Sequence, residues 1–397
     1  MRGGFLGVLV LGVALAACAP TVRPPVREPA QALVPVPAWD MPAFEDDGDR
    51  ASLEQALGRS LAWLRERPPK QPFLFGPHLV TAEQVVATLE AFLELLATEP
   101  DPRRFRQAVQ RRFRVYQAVG RDGEGEVLFT GYYEPELPGS RIPTARFRYP
   151  LYRLPEDLVS IPLEAFHPRY RGQRLVGRVV GRQVLPYATR AEIDGLGILE
   201  GRGLELVWLE DPVDVFFLQI QGSGRIRLED GTWIRVHYAG SNGRPYRSIG
   251  RLLIREGAVS REAMSLQRLK AYLRDHPERR EAILNYNESY VFFEEVAEGP
   301  LGSLGFPLTP GRSVATDLAL FPPAALAFIR TQQPVVEEGT VSDWKPLTRF
   351  VLNQDSGGAI KGPGRVDVFF GSGSRAEAAA GHLKHPGELY FLLLRET

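Results

Sequence analysis

The chain has 397 residues, and its 48 Lys and Arg are balanced by 48 Asp and Glu, so the formal net charge at pH 7 is zero. It carries no basic patch and no arginine-rich arm, which excludes nucleic acid as an expected partner. Cys18 is the only cysteine, which excludes an intrachain disulfide and a cysteine-based metal site. The 39 Gly and 33 Pro favour short strands and tight turns, and the length is sufficient for two domains.

The N-terminus has the order of segments that is typical of a secretory signal. A basic start at Met1-Arg2 precedes an apolar run over residues 5–17, and small residues lead into Cys18. This run of 13 residues is too short for a membrane-spanning helix, which needs about 20. The Leu-Ala-Ala-Cys sequence ending at Cys18 resembles a bacterial lipobox, which implies a signal peptide over residues 1–17 and a lipid on Cys18. The neutral Ala19 then implies an outer-membrane anchor on the periplasmic side.

Three helices are predicted after a proline-rich segment. Residues 18–40 lack apolar periodicity and are expected to form an extended tether. Apolar side chains recur at helical spacing in residues 51–66. A second helix begins at Thr81, where Gln84 completes a capping box. The arginine-rich residues 102–116 are predicted as a third helix, and all three are interpreted as scaffold.

From about residue 125 short apolar runs alternate with Gly and Pro, which is typical of an all-β barrel or sandwich. Residues 229–231 (Glu-Asp-Gly) predict a hairpin turn. Residues 261–275 return to helical spacing, and the C-terminal region is predicted as strands linked by glycine-rich turns. The predicted strands are residues 127–136 with a turn at their end, 204–209, 213–222, 224–228, 232–240, 290–295 and 388–394.

The chain lacks three common catalytic motifs: the Gly-Xaa-Ser-Xaa-Gly elbow, the His-Glu-Xaa-Xaa-His zinc motif and the phosphate-binding loop. His382 and His385 are spaced i, i+3, which by itself makes a poor metal site. No metal and no other cofactor is therefore expected. A hydrolytic or transfer reaction would have to rest on carboxylates.

Three aspartates in the C-terminal region are candidates for such chemistry. Asp355 and Asp367 lie between apolar residues and glycine turns, and Asp317 follows a short apolar run. A carboxyl at the end of an apolar strand is poorly solvated, which raises its pKa. It then stays protonated near neutral pH, as a general acid must. The alternative is that each aspartate only caps a turn.

Two glycine-rich segments, Gly357–Gly362 and Val366–Gly373, resemble the so-called 3D domain. Upstream segments resemble the membrane-bound lytic transglycosylases A (the MltA family) of Gram-negative bacteria. The similar segments are residues 129–135, 214–224 and 303–317. The similarity extends in one collinear order over about residues 125–394.

The resemblance implies a mainly β fold with a few α-helices: a double-psi β-barrel domain into which a second β-barrel domain is inserted. The first domain is expected over residues 41–145 and 291–397, and the inserted one over residues 146–290. A groove between them would hold the glycan strand of peptidoglycan, the expected partner. The sequence points to no protein partner.

The resemblance also implies a peptidoglycan lytic exotransglycosylase with a role in cell-wall turnover. Such enzymes cleave the β-1,4 bond between N-acetylmuramic acid (MurNAc) and N-acetylglucosamine (GlcNAc) without water, because the muramoyl C6 hydroxyl attacks C1 and closes a 1,6-anhydro ring. The family's catalytic aspartate corresponds to Asp367. Asp355 and Asp317 would support it.

A single carboxyl suits this reaction, although ordinary glycosidases need two. The nucleophile is part of the sugar, so its effective concentration is high. Asp367 would protonate the leaving oxygen and then accept the C6 hydroxyl proton. Lys361 and the backbone amides of Gly357 and Gly358 are interpreted as stabilising the developing charge.

Sugar binding is expected to use aromatic faces and side-chain amides. Tyr132 and Tyr133 directly follow a glycine, and the alternative for Tyr133 is a place in the core. Gln219 and Gln221 are expected on one face of a strand, with Ser223 in the turn that follows. The alternative is that one of these glutamines only pairs with backbone.

Two other functions stay open at this point. A conventional two-carboxylate hydrolase would use Asp367 with Asp355 or a glutamate, and its products would have reducing ends. A lipoprotein that only binds glycan would use the aspartates as turn caps.

Overall fold

The computed structural model describes residue 26, residues 28–170 and residues 173–395. The predicted signal peptide, Cys18 and the first part of the predicted tether lie outside the described residues. Within those residues, no helix combines the length and the apolar character needed to cross a membrane.

The described part of the chain is mainly β. Its strands, in chain order, are β1 (Leu33–Pro35), β2 (Pro72–Phe75), β3 (His78–Thr81), β4 (Phe113–Ala118), β5 (Val127–Glu134), β6 (Glu136–Ser140), β7 (Tyr149–Tyr152), β8 (Leu158–Pro162), β9 (Arg174–Val180), β10 (Gln183–Pro186), β11 (Glu205–Leu209), β12 (Ser223–Arg227), β13 (Trp233–Ser241), β14 (Val291–Val296), β15 (Ser313–Ala315), β16 (Leu326–Glu337), β17 (Thr340–Asp355), β18 (Arg365–Ser372) and β19 (Lys384–Leu394). Its α-helices are α1 (Arg50–Arg65), α2 (Ala82–Thr98), α3 (Pro102–Arg112), α4 (Pro212–Gln221), α5 (Ile249–Arg255), α6 (Leu266–Asp275), α7 (Pro277–Asn285) and α8 (Gly373–His382).

Six strands close into a barrel in the order β19, β16, β17, β15, β18 and β5, because β5 pairs back on β19. Strand β4 continues the sheet beyond β19, and β1 pairs with β4. The pairings of β15 with β17 and of β18 with β5 are parallel, whereas the other barrel pairings are antiparallel. Closure removes the unpaired edges of an open sheet. The parallel pair β5–β18 also places Thr130 opposite Asp367.

Helices α1 and α2 pack on the barrel because each has one apolar face. Leu57 of α1 and Phe92 of α2 are buried in the same core as Phe350 of β17, and the Phe92 and Phe350 ring centroids are 4.8 Å apart. The predicted capping box of α2 is confirmed, since Thr81 and Gln84 exchange side chain-to-backbone hydrogen bonds.

The chain between β5 and β15 forms a second sheet of six strands, in the order β14, β13, β12, β6, β11 and β7. The predicted hairpin is confirmed: β12 and β13 are antiparallel, with Ile226 opposite Ile234. Strands β8, β9 and β10 form a separate small sheet. The predicted fold class, a mainly β chain with a barrel and an inserted β unit, is confirmed by the structure and by its resemblance to solved structures reported below.

Residues 213–222 form helix α4 and its cap, so the predicted strand is wrong. The Asp211 side chain accepts a hydrogen bond from the Val213 N–H, and Pro212 occupies the first turn. Gly222 ends the helix with a left-handed φ of 80°. The β-branched and aromatic residues of this segment are buried helix residues rather than strand residues. Gln219 and Gln221 therefore do not share the face of a strand.

Two further predicted segments, the third helix and the tether, end earlier in the structure than the sequence predicts. The third predicted helix stops at Arg112, because residues 113–118 pair with β19 as strand β4 and are mostly buried. The predicted tether is too long at its C-terminal end, because Leu33 is buried and β1 pairs with β4. Tethering could therefore involve only residues before β1.

The C-terminal region contains a helix that was predicted as part of a run of strands. Helix α8 buries Ala376 and Ala380 against the barrel. A Cβ atom at Gly131 would lie 2.7 Å from the Ala380 Cα, so the close approach of α8 to β5 requires glycine there. The helix predicted over residues 261–275 also begins later than expected, at Leu266.

Candidate active site

A groove of about 640 Å³ lies between the barrel and the second sheet. Its barrel side is formed by β5, β18, the end of β17 and the glycine-rich loop 357–361. Its other side is formed by α4, β12 and β13 with segments around residues 246 and 287–291. The predicted site residues on its wall are Tyr132, Tyr133, Gln219, Gln221, Ser223, Asp355, Lys361 and Asp367. The groove therefore brings together residues that are more than 200 positions apart in the chain.

Asp367 lies on β18, at the point where this strand faces the groove. The Thr130 hydroxyl donates a hydrogen bond to Asp367 Oδ1, and Arg365 Nη2 lies 3.5 Å from the same oxygen. The side chain is 18% exposed. Burial raises the pKa of Asp367 to about 6, although the Arg365 cation opposes the rise; the negative charge of Asp355 adds to it. Asp367 is therefore a carboxyl that can carry a proton near neutral pH.

Asp355 lies at the end of β17 and is held by backbone. Its Oδ1 accepts hydrogen bonds from the Ser303 N–H at 2.7 Å and the Ser356 N–H at 2.8 Å. Burial raises the pKa of Asp355, and these two hydrogen bonds oppose the rise because they favour the charged form. Asp355 thus fixes the loop around residue 303 to the loop that begins at Ser356.

The Tyr132 hydroxyl, on β5, lies close enough to Asp355 and Asp367 for their charges to act on it. Burial raises the pKa of the Tyr132 hydroxyl well above its usual range, and the charges of Asp355 and Asp367 raise it further. The hydroxyl is close enough to Asp355 to interact with its charge, but it makes no hydrogen bond of good geometry within the described chain. The Tyr132 ring lies against Phe369, with centroids 5.2 Å apart. Its hydroxyl is a neutral donor that a substrate oxygen can use.

Asp317 is buried beside the glycine-rich loop rather than on the groove wall. Its Oδ2 accepts a hydrogen bond from the Gly362 N–H at 2.9 Å, and its Oδ1 accepts one from the Ala319 N–H at 3.2 Å. Lys361 Nζ lies 4.0 Å from Asp317 Oδ1, and the Lys361 side chain is 67% exposed. Asp317 therefore anchors the end of the loop whose other residues line the groove.

Tyr133 is a core residue on the opposite face of β5. Its ring packs with Ala376 and Ala380 of α8. Its hydroxyl lies 3.5 Å from Lys270 Nζ, and burial together with the Glu377 charge raises the pKa of Tyr133. The core alternative fits Tyr133 better than an aromatic platform for sugar.

Gln219 is almost fully buried, at 4% exposure, where α4 meets the groove. Its Oε1 accepts a hydrogen bond from Arg190 Nη2 at 2.5 Å. Its Nε2 is buried and has no hydrogen-bond partner among the described residues. Arg190 itself was not singled out by the sequence, because no motif marks it.

Gln221 and Ser223 make contacts within the protein from the same groove wall. Gln221 Oε1 accepts a hydrogen bond from the Tyr133 N–H at 3.2 Å, which is the backbone pairing considered as the alternative to sugar binding. Ser223 Oγ lies 3.1 Å from His237 Nδ1. Burial lowers the pKa of His237, so its ring is neutral at neutral pH.

Glu134, at the end of β5, is a groove carboxyl that the sequence did not single out. Its Oε2 accepts a hydrogen bond from the Ser372 hydroxyl at 2.5 Å. Burial raises its pKa, although Ser372 and two arginines oppose the rise. It could have been found in the Tyr-Tyr-Glu-Pro segment, where an acidic residue follows an apolar strand.

His382 and His385, which the sequence spaces i, i+3, make separate contacts in the structure. His382 Nδ1 lies 2.8 Å from the Ala378 carbonyl oxygen, whereas His385 packs against Trp344. Across residues 28–170 and 173–395, no group of three or more His, Cys, Asp or Glu side chains converges as a metal site.

Comparison with known families and proteins agrees with this architecture. The family model described as "MltA specific insert domain" matches residues 128–294, and the "3D domain" model matches residues 312–393. Membrane-bound lytic murein transglycosylase A of Vibrio cholerae is 37% identical over 286 residues, which cover 71% of this chain and 69% of that protein. The Escherichia coli protein of the same name is 30% identical over 280 residues, covering 70% and 68%.

Solved structures give the same result for the fold. The crystal structure of a membrane-bound lytic murein transglycosylase from Agrobacterium tumefaciens has a TM-score of 0.74 at 32% identity, covering 92% of this chain and 98% of that one. MltA from Neisseria gonorrhoeae gives 0.70 at 34% identity, covering 92% and 93%. MltA from E. coli with bound chitohexaose gives 0.67 at 27% identity, covering 96% and 97%.

The barrel, the inserted β unit and the carboxyl-lined groove define an enzyme of the lytic murein transglycosylase class, lyases that act on peptidoglycan. Within that class, the chain belongs to the membrane-bound lytic murein transglycosylase A (MltA) family.

Proposed function

We propose that this enzyme cleaves the MurNAc-β-1,4-GlcNAc bond without water and leaves a 1,6-anhydro-MurNAc end, with Asp367 as the one acid and base. The observation that carries the proposal is the Asp367 carboxyl, which lines the groove with a pKa raised to about 6 by burial. A carboxyl with this pKa is about half protonated at pH 6 and about one tenth protonated at pH 7, far more than an ordinary aspartate, and the first step requires the protonated form.

The proton and the bonds balance with this one residue. The Asp367 carboxyl donates its proton to the glycosidic oxygen, and the bond between that oxygen and MurNAc C1 breaks. The MurNAc C6 hydroxyl oxygen forms a bond to C1 and closes the ring. The Asp367 carboxylate accepts the proton of that hydroxyl and returns to its starting state. Arg365 and the Thr130 hydroxyl favour the ionised form between the two transfers.

The other predicted residues have supporting roles in this proposal. Asp355 holds the loop at Ser303 through backbone hydrogen bonds, and Asp317 holds the glycine-rich loop at Gly362. Lys361 and the amides of that loop stabilise the charge that develops during the reaction. Tyr132, Gln219 and Ser223 contact the glycan, whereas Gln221, which accepts a hydrogen bond from the Tyr133 N–H, and Tyr133 support the wall.

A conventional two-carboxylate hydrolase is the second candidate, because Asp355 and Glu134 also line the groove. Hydrolysis requires the second carboxylate to bind and activate water. Asp355 Oδ1 accepts hydrogen bonds from two backbone N–H groups, which supports a structural role for this carboxyl. Glu134 Oε2 accepts one from the Ser372 hydroxyl, whereas its Oε1 has no partner among the described residues. The masses of the products therefore decide between the two reactions.

Activity of the Asp367→Asn variant tests the proposed catalyst. The amide preserves the size of the side chain but cannot donate an acidic proton. We expect loss of at least a thousandfold in the rate of release of soluble muropeptides from purified sacculi. A variant that folds and keeps a rate near that of wild type would remove Asp367 from the mechanism.

The sequence also supports attachment to the inner face of the outer membrane through a lipid on Cys18, followed by the proline-rich segment. The printed names of the relatives, which include "membrane-bound", agree with membrane association. Cys18→Ala with an intact export signal should then lose membrane association and keep activity on soluble glycan. An inactive Cys18→Ala protein would mean that the lipid does more than anchor.

A further inference from the structure

We propose that Arg190 orients the Gln219 side-chain amide so that its NH₂ group recognises the N-acetyl carbonyl of one sugar in the groove. This inference rests on the proposed binding of a glycan strand there, and it adds the chemical group that is recognised. Gln219 would be a specificity-determining residue, and Arg190 a positioning residue that acts through it.

The Arg190 side chain is held in place by several contacts besides its hydrogen bond to Gln219. It is 2% exposed, and its guanidinium donates hydrogen bonds to the backbone oxygens of Asn287 at 3.1 Å and Ser289 at 2.7 Å. Its Cζ lies 4.7 Å from the centroid of the Phe216 ring and 5.0 Å from that of Tyr290. A guanidinium that contacts two aromatic rings and donates to two backbone oxygens has little freedom to follow a rotating partner.

The fixed guanidinium decides which way the amide of Gln219 points. Arginine has only donors, so the Gln219 atom at 2.5 Å from Arg190 Nη2 must be the oxygen. The Gln219 NH₂ group is then the end of the amide that does not contact Arg190, and it is buried without a partner among the described residues. Gln219 itself lines the groove. An unpaired buried donor is costly, and this cost is recovered when a ligand supplies an acceptor.

The ligand group that fits is the acetamido carbonyl. It is an acceptor without a donor of its own, whereas sugar hydroxyls can satisfy either kind of partner. Ile220, next in the chain, is 39% exposed and lines the same groove, so an apolar surface is available for the acetyl methyl. Removal of the acetyl group would replace this acceptor with an amine and leave the Gln219 NH₂ group unpaired.

Binding of two sugar hexamers tests the recognition of the acetyl group. The Asp367→Asn protein, which is not expected to cleave its ligand, is titrated calorimetrically with chitohexaose and with the fully deacetylated glucosamine hexamer. Gln219→Glu keeps an oxygen towards Arg190, replaces the unpaired NH₂ donor by an acceptor oxygen and adds one negative charge. We expect this variant to bind chitohexaose at least tenfold more weakly than the parent and to lose less affinity for the glucosamine hexamer. Its melting temperature should be unchanged or higher.

Gln221→Glu is the matched control, because it adds the same charge to the same wall without contacting Arg190. Its Oε1 position pairs with the Tyr133 N–H and can stay there. The inference is overturned if Gln219→Glu binds chitohexaose within twofold of the parent. It is also overturned if Gln219→Glu changes the preference between the two hexamers no more than Gln221→Glu does.

Arg190→Lys tests the positioning role. A single ammonium cannot hold two backbone oxygens and the Gln219 oxygen in one plane. We expect weaker chitohexaose binding by the Asp367→Asn protein, but no additional weakening when Gln219 is already alanine. If Arg190→Lys weakens chitohexaose binding by the same factor with Gln219 and with alanine at that position, Arg190 has a purely structural role and that part of the inference is overturned. If Arg190→Lys does not fold, the Gln219→Glu comparison still decides whether the acetyl group is recognised.

These results are separable from the proposed catalytic function. An inactive Asp367→Asn protein with no Gln219 effect on acetyl preference would refute this inference and keep the proposed reaction. Retained turnover by Asp367→Asn, together with the predicted Gln219 effect, would refute the proposed reaction and keep this inference.

Discussion

The Thr130 hydroxyl on β5 donates a hydrogen bond to Asp367 Oδ1 on β18, across a parallel pairing in which the two residues are in register. They are 237 positions apart in the chain, with the whole second sheet between them. The environment of the proposed catalyst therefore exists only when the barrel has closed. Several properties of the enzyme should depend on this contact and on the burial of Asp367.

The rate of peptidoglycan cleavage should fall as the pH rises above 6. Asp367 must be protonated to act as the acid, and its pKa is about 6 because burial disfavours the charged form. The initial rate of muropeptide release from sacculi, measured from about pH 4 to about pH 8, should show a decline of about tenfold per pH unit on the alkaline side. A rate that is constant or rises through this range would contradict the acid role.

Thr130→Val should move the alkaline limb of this profile to higher pH and lower the maximal rate. The substitution keeps the shape of the side chain but removes the donor that favours the ionised carboxylate, so the pKa of Asp367 should rise. The same pH series on the variant measures the shift.

Thr331→Val is the control for this experiment. It removes a threonine hydroxyl of barrel strand β16 that donates to the Pro386 carbonyl oxygen at 3.0 Å, outside the groove. Both variants should lose about 1 kcal/mol of unfolding free energy. Only Thr130→Val should change the pH midpoint, and equal midpoints in the two variants would remove Thr130 from the control of Asp367.

Asp367→Asn should be more stable than wild type above pH 6. The pKa of Asp367 rises on folding from its ordinary 3.8 to about 6, so the folded state binds more protons between these values. The stability that protonation contributes is full below about pH 4 and is lost as the pH rises through 6. Its upper bound is about 3 kcal/mol.

Urea unfolding at about pH 4 and about pH 8 measures this effect. The variant cannot ionise at this position, so we expect an advantage of about 1–3 kcal/mol at the higher pH and near equality at the lower one. An Asp367→Asn protein that is less stable than wild type at the higher pH would show that the charged form is well stabilised in the fold.

Asp317→Ala should lower activity without moving the pH midpoint. It removes the acceptor of the Gly362 N–H, which anchors the glycine-rich loop, and it does not touch Asp367. The expected loss of stability is about 1–3 kcal/mol. Asp230→Ala is the matched control, because Asp230 accepts hydrogen bonds from Thr232 in a hairpin turn away from the groove. Equal activity in both variants would reduce Asp317 to an ordinary turn cap.

The sequence predicted those parts of the fold that local patterns determine. Helix α2 was found from its capping box at Thr81, and the β12–β13 hairpin from its Glu-Asp-Gly turn. Helix α4 was missed because its aromatic and β-branched residues favour a strand when taken alone. The Asp211-Pro212 start and the Gly222 end were both visible, and tertiary burial decided the outcome.

The site was predicted in part for a different reason. The apolar and glycine-rich surroundings of the three aspartates predict them as candidates and predict a raised pKa for Asp367, whereas the family resemblance supplies their roles and marks the Gln219 region. The contacts of Asp367 with Thr130 and of Gln219 with Arg190 join distant strands and helices. No local pattern encodes such a contact, so it becomes visible only in the folded chain.

The mass of the soluble products released from whole sacculi tests the central claim most directly, with wild type and Asp367→Asn analysed side by side. If the C6 hydroxyl is the nucleophile and Asp367 the acid, wild type should release muropeptides that are lighter by one water than the hydrolytic products, and the variant should release none above background. Wild-type products with reducing ends, heavier by that water, would show that a water molecule attacks C1 and would contradict the mechanism.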